Sequence, residues 1–407
     1  MRDKKIELLA PAGNLEKLKA ALIYGADAVY VGGKNFSLRA FGDNFTDDEM
    51  IAAVEFTHAR GKKIYVAANI FAHNSDLAAA SDYINFLDRI GVDAILISDL
   101  GLFSIAKKIV RRTQLHISTQ ANTTNFQAVN AWHEFGASRI VLARELSLDE
   151  IKLIRRNCNV ELEMFVHGAM CLSYSGRCWL SHYLTGRDGN RGQCTHSCRW
   201  RYSLVEEKRP NEFFPIDEDE RGAYVMNSKD LCLLSCLDRV MDSGVDSLKI
   251  EGRMKSVHYV ASTVKVYRQA IDSWLDDPDR WQLRAEWIDE LNKTAHRPFT
   301  TGFFIDDRDG TMITDRSKSE RTAEFLGIVR SFDRSTMEAT IEQRGKMEVG
   351  RMIEVLQPTG ETFRQRLASM VDAEGNMISS APHAQQLVRL KLDRAAEEWS
   401  LIRSTGE

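Results

Sequence analysis

The sequence predicts an α/β chain: a (β/α)8 TIM-like barrel with a cysteine-rich insertion after strand seven, plus a small C-terminal all-β domain. Three observations carry this expectation. Short apolar runs alternate with helical stretches over the first two thirds of the chain, as in parallel α/β folds. Several helices stop at a Gly-Ala or Gly-Val pair just before the next strand, at Gly25, Gly91, Gly136 and Gly244. Glycine there accepts the left-handed conformation that ends a helix. From Ala323 the runs become short, alternating and separated by turns, which marks a small, barrel-like β domain.

The strand candidates follow in order: KIELLAPAG, DAVYVGG, KKIYVAAN, DAILISDL, QLHISTQ, SRIVLAR, ELEMFVHG, YVMNS and DSLKIEGR. That is one more than a barrel needs, and YVMNS is the weakest. Nearly unbroken apolar strands imply a sheet covered on both faces. Helical patterns such as NLEKLKAALIYG and NFQAVNAWHEFG lie between them. PAGN, not GxGxxG, follows the first strand, which favours a barrel over an open doubly wound sheet. DDPDRW breaks the pattern, WQLRAEWIDELNKTAH is a last helix, and RPFTTGFF begins extended structure. The expected barrel is 1–298 with its insertion at 168–222, and the β domain is 299–407. Within the insertion, RPNEFFPIDEDE is acidic and aperiodic and reads as a surface excursion.

Composition narrows the function. The chain has 407 residues, 43% of them hydrophobic, with a net charge of −4. That supports a large core and two domains. It gives no global basic signature of nucleic-acid binding, although a local patch suffices. No apolar run reaches the length of a membrane span. Met1 leads into a charged start and a strand, so no signal peptide and a cytoplasmic address are expected. No GxSxG or HExxH occurs, and with them go the familiar serine and zinc hydrolase motifs.

Four of the seven cysteines crowd one segment: Cys171, Cys178, Cys194 and Cys198, spaced C-x6-C-x15-C-x3-C. Their neighbours are Ser, Gly, Arg and Gln, unlike the apolar surroundings of core cysteines. Zinc favours short C-x2-4-C knuckles, and a cytoplasmic address disfavours disulfides. The wide gaps suit an iron–sulfur cubane. All three readings remain open on spacing alone. Cys232 and Cys236 lie at i, i+4 in LCLLSCLDRVM and read as one apolar helix face, with Cys232 a reserve ligand.

Barrel chemistry belongs at the C-terminal ends of strands. The candidates there are His167, Lys249, Glu251 and Arg253. The last three alternate in KIEGR and so share a face, where burial demands a partner or a ligand. Asn14 and Asp99 read as helix caps, and Arg144 with Glu145 as a surface pair. Arg187, Arg191, Arg199 and Arg201 crowd the cysteine loop as candidate phosphate contacts, with Trp179, Tyr183 and Trp200 available for stacking.

EMFVHGAMCLSYSGRCWLS, with LLAPAGNLEKLKAALIYGADAVYVG, RDGNRGQCTHSCRW and SLKIEGRMKSVHYV, resembles the collagenase-like peptidase family U-32. The blocks run in order along essentially the whole chain, and the layout is most similar to the branch that hydroxylates tRNA. The resemblance implies a 4Fe–4S cluster on Cys171, Cys178, Cys194 and Cys198. It also implies hydroxylation of the wobble uridine at C5, with prephenate as a required metabolite. Lys249 and Arg253 would meet the carboxylates of such an acid. The implied partners are tRNA and proteins that deliver electrons or clusters. The alternatives are a peptidase, or hydroxylation of ribosomal RNA or a quinone precursor.

Overall fold

The computed structural model describes residues 6–34, 36–37, 43–171, 174, 177–200, 203–205, 213–215, 229–305 and 321–405. Seven parallel strands come first: β1 (Glu7–Pro11), β2 (Ala28–Val31), β3 (Lys63–Ala67), β4 (Ala94–Ile97), β5 (Gln114–Ile117), β6 (Arg139–Val141) and β7 (Glu161–Ala169). Two short strands in the insertion, β8 (Ser203–Val205) and β9 (Phe213–Pro215), pair with each other. The acidic excursion therefore contains one strand of a hairpin. Strand β10 (Asp230–Cys232) runs antiparallel to β7. Strand β11 (Ser247–Ile250) then pairs parallel with both β7 and β1, closing an eight-stranded barrel. DSLKIEGR supplies that eighth strand, while YVMNS lies outside the described residues. Strand β12 (Phe299–Thr300) pairs with β10, so this part of RPFTTGFF joins the barrel's sheet.

The helices lie outside the strands. They are α1 (Leu15–Ile23), α2 (Asp47–His58), α3 (Leu77–Ile90), α4 (Leu100–Ile109), α5 (Phe126–Phe135), α6 (Leu148–Arg156), α7 (Leu180–Thr185), α8 (Leu237–Met241), α9 (Val257–Asp276) and α10 (Ala285–Asn292). Local chemistry sets their ends. Asn14 caps α1 by accepting the Lys17 N–H, and Asp99 caps α4 by accepting the Leu102 N–H. Thr46 with Glu49, and Ser147 with Glu150, form capping boxes on α2 and α6, satisfying N–H groups that a helix start leaves orphaned. The glycine stops have φ of 111° at Gly25, 83° at Gly91, 118° at Gly136 and 85° at Gly244. Cys232 ends β10 whereas Cys236 sits in a single 3-10 turn before α8. They do not share a helix face, because strand pairing with β7 claims the first of them.

The C-terminal strands are β13 (Ala323–Asp333), β14 (Glu338–Gln343), β15 (Met347–Glu348), β16 (Met352–Leu356), β17 (Phe363–Arg366), β18 (Met370–Val371), β19 (Met377–Ile378), β20 (Ser380–Ala381), β21 (Leu387–Lys391) and β22 (Leu401–Thr405). Eight of them form one antiparallel sheet in the order β17-β16-β22-β13-β14-β21-β18-β19. It curls far enough for Gln365 of β17 to donate to the Lys391 carbonyl of β21. Ile328, Leu356 and Leu401 pack into the barrel's own apolar core. Tyr24, at the end of α1, is fully buried and donates to the carbonyls of Leu356 and Trp399, each at 2.9 Å. The two domains thus share a buried, hydrogen-bonded interface.

Candidate functional site

The barrel interior holds a chain of buried charges. Arg139 of β6 reaches Glu7 of β1 and Glu163 of β7 at 2.5 and 3.1 Å. Lys249 of β11 donates to Glu163 at 2.8 Å and lies over the Tyr30 ring at 4.4 Å. Tyr65 and Ser247 donate to Glu7. Burial pushes the Glu163 carboxyl up, but Lys249 and Arg139 more than offset it, so Glu163 is ionised. Burial holds Lys249 below its usual value, with Glu163 pulling the other way. Lys249 is thus already matched by a carboxylate, as a buried ammonium requires. It is not the open cation expected for a substrate acid.

Glu251 and Arg253 lie above it, in the turn beyond β11. Glu251 accepts from Tyr30 at 3.1 Å and faces Arg144 at 3.9 Å. Arg253 is buried and donates to Ser37 at 2.8 Å and Asn44 at 3.4 Å. The turn is threaded through glycines: a Cβ at Gly32 would collide with the Arg253 guanidinium, and one at Gly168 with the Glu251 carbonyl. Arg144 is no surface partner of Glu145. It turns inward, donates to the Ala169 carbonyl and lies 3.9 Å from the Phe165 ring centre. Sequence reasoning missed this inward turn; the signal was an arginine at the end of a barrel strand.

His167 is placed elsewhere. Lys249 pairs with Phe165 but Ile250 pairs with His167, so a β-bulge intervenes. The bulge reverses the alternation, and His167 faces the outer layer, against Tyr259 and Tyr267 of α9 and Phe299. Burial, with a smaller push from Lys255, lowers its pKa to about 3. It is a neutral packing residue there, outside the group formed by Glu251, Arg253 and Arg144.

The cysteine segment is knit together and docked. Ser181 donates to the Arg187 carbonyl at 2.8 Å and accepts the Thr195 N–H. Asn190 exchanges two hydrogen bonds with the Cys178 backbone. Arg191 grips Asp76, in the loop after β3, with two bonds of 2.8 and 3.1 Å. These bonds hold the Asp76 carboxyl down to about 2. The Phe71 N–H donates to the Asn190 carbonyl, and Arg177 lies over the Phe71 ring. Arg191 is therefore a docking residue rather than an open phosphate contact. Arg187 is exposed. Arg201 and the Arg199 side chain lie outside the described residues.

Cys171 is exposed and Cys178, Cys194 and Cys198 are half-buried. Cys194 Sγ accepts the His196 N–H at 3.4 Å, and His196 has a left-handed backbone (φ 54°) between the last two cysteines. The donors suit an iron–sulfur cluster in number and kind. Among the described residues, however, no group of three or more His, Cys, Asp or Glu side chains is drawn together to hold a metal. Cys232 is buried beside Tyr267, and burial pushes its thiol up to about 11. All the exposed aromatic side chains among the described residues are on this segment: Tyr174, Trp179, Tyr183 and Trp200.

A closed parallel barrel with a charged mouth and a docked, thiol-bearing segment defines an enzyme scaffold of the TIM type. The chain belongs to peptidase family U32. The model of that family matches residues 13–314, and the model of its C-terminal domain matches 321–403. A Bacillus subtilis protein named tRNA hydroxylation protein P1 is 41% identical over 406 residues, covering 98% of this chain and 95% of its own. The Escherichia coli tRNA hydroxylation protein P is 36% identical, covering 93% and 92%. A Methanocaldococcus jannaschii protein named as an uncharacterized protease is also 36% identical, covering 90% of each chain. No helix among the described residues is long and apolar enough to cross a membrane.

Proposed function

We propose that this chain is a tRNA-hydroxylating enzyme that acts on C5 of the wobble uridine, with an iron–sulfur cluster on the cysteine segment and a prephenate-type acid as co-substrate. The observation that carries the reading is a juxtaposition. The four exposed aromatic residues among those described share one segment with the four cysteines, and Arg191 ties that segment to the loop after β3, at the C-terminal end of the barrel. Unpaired RNA bases are recognised by splaying onto aromatic faces. Relatives named for tRNA hydroxylation match nearly the whole chain.

Cys171, Cys178, Cys194 and Cys198 would hold the cluster, which supplies one-electron chemistry when bound. Exposed Arg187 meets phosphate, and Arg253 is the mouth cation that receives a carboxylate. Electron- and cluster-delivery proteins are the further partners this reading requires.

The test is nucleoside mass spectrometry of tRNA from cells with and without the gene, complemented by wild type and by Cys171→Ser. Loss of 5-hydroxyuridine derivatives, restored by wild type alone, supports the reading. An unchanged profile, with no redundant paralogue, sinks it and turns attention to ribosomal RNA, quinone and peptide substrates.

A further inference from the structure

The turn after β5 carries an arrangement that the reading above leaves unused. Asn69 comes from the end of β3, and Ser118 and Gln120 from the end of β5. Asn69 Nδ2 donates to Ser118 Oγ at 3.2 Å and to Gln120 Oε1 at 3.0 Å. Strand β4 lies between these two strands, so the bonds cross over its end. Ser98, at that end, donates to the Asn69 carbonyl at 2.9 Å. The group therefore sits on the barrel mouth. Asn69 is only two residues from Phe71, which holds the cysteine segment through Asn190.

Gln120 has a fixed orientation. Its Oε1 also accepts from Ser118 Oγ. With the oxygen taken twice, Nε2 and its two N–H donors are not used within the Asn69–Ser118–Gln120 group. No hydrogen bond engages Nε2 among the described residues. Two residues on, Asn122 holds a left-handed backbone with φ 53° and ψ 49°. Its Oδ1 is buried and has no partner among the described residues. An unpaired buried acceptor and a left-handed non-glycine residue both cost stability, and they concentrate where a ligand completes the site.

We infer that Gln120 and Asn122 read the imide edge of the substrate uracil. Gln120 Nε2 donates to the ring carbonyl at C4, and Asn122 Oδ1 accepts N3–H. Cytosine presents the opposite polarity at both atoms, an amine at C4 and a bare acceptor at N3. Gripping that edge leaves C5–H uncovered for reaction. The inference rests on the tRNA uridine reading and deepens it by assigning the choice of base to two residues.

The test uses the full-length chain in the gene-deleted strain, with tRNA nucleosides as one readout and tRNA affinity as another. Gln120→Glu keeps the acceptor that Asn69 and Ser118 use but replaces the donor. Asn122→Gly keeps the left-handed turn but removes the acceptor. Each is expected to lower 5-hydroxyuridine at least tenfold without lowering thermal stability. The purified wild type should bind a target-site uridine tRNA more tightly than its cytidine counterpart, and Gln120→Glu should narrow that preference at least fivefold. If wild type restores hydroxylation and both variants match it within twofold, the base-reading role is overturned while the tRNA reading stands. If the preference is equal in wild type and Gln120→Glu, the inference is likewise overturned. A wild type that restores nothing overturns the tRNA reading and this inference with it.

Discussion

Arg403 of β22 and Glu290 of α10 face each other across the domain boundary in a two-pronged ion pair of 2.6 and 2.5 Å. Arg403 is fully buried and also reaches Glu354 of β16 at 2.6 Å and His258 of α9 at 3.1 Å. Lys293 and Arg364 close the group around Glu354. Breaking a buried pair from one side leaves uncompensated charge and typically costs about 3–5 kcal/mol. Arg403→Met should destabilise the chain by that order, read as a lower urea midpoint. A loss below about 1 kcal/mol would show that the shared apolar core alone holds the domains.

His258 and His167 couple stability to acid. Burial, then the charge of Arg403, lowers the His258 pKa to about 3, and His167 is lowered to about 3 as well. Both are neutral in the fold, whereas an unfolded histidine takes a proton near about 6.5. Between these limits the unfolded state binds more protons, so stability rises with pH and falls on acidification. Each histidine contributes up to about 1.4 kcal/mol per pH unit in that window. Thermal melting from pH 7 to 4 should show this fall, and His258→Gln should flatten it. An identical slope in the variant would assign the acid response to other groups.

Asp76→Asn tests the docking of the cysteine segment. Because the Asp76 carboxyl is depressed to about 2, its contribution is complete above the unfolded value of about 3.9 and lost as pH falls through about 2. At neutral pH the wild-type pair is intact. Losing one pair of this partly exposed kind changes stability by about 1 kcal/mol or less. Hydroxylation should nonetheless fall by about tenfold or more, since a misplacement of about 1 Å can cost about a hundredfold. Full activity in the variant would mean that the segment docks without this pair.

The proposed cluster ligands are separable from the reserve cysteine. Anaerobically prepared chain should bind iron and sulfide, and single Ser substitutions at Cys171, Cys178, Cys194 or Cys198 should each lower iron per chain. Cys232→Ser should not, because Cys232 is buried against Tyr267. Metal analysis with absorption spectroscopy decides the matter. Iron loss in Cys232→Ser with full retention in Cys198→Ser would exchange their roles.

Trp179→Ala and Tyr183→Ala should weaken tRNA binding, by about 1–3 kcal/mol for each stacked base. Both side chains are exposed, so the fold should be untouched. Affinity unchanged in both variants would make these rings a cover for the thiols instead of a platform.

Much of this was legible in order along the chain. Alternating apolar runs and the glycine stops before strands determine a closed parallel barrel, because helix termination and strand burial are local. The cysteines advertise themselves by sitting together among polar residues, and Asn14 and Asp99 cap helices as their positions suggested. Tertiary structure alone decided the rest. The bulge at Phe165–His167 turned a strand-end histidine away from the mouth, since pairing with β11 sets side-chain direction. Glu163 took Lys249, Asp76 took Arg191, and Arg144 turned inward to Glu251. Each of these pairings joins residues far apart in sequence, and a buried charge accepts whichever partner the fold brings within reach. The sequence determined which chemistry the chain carries; only the closed barrel and its docked segment determined which charges are already matched and which groups remain for a ligand.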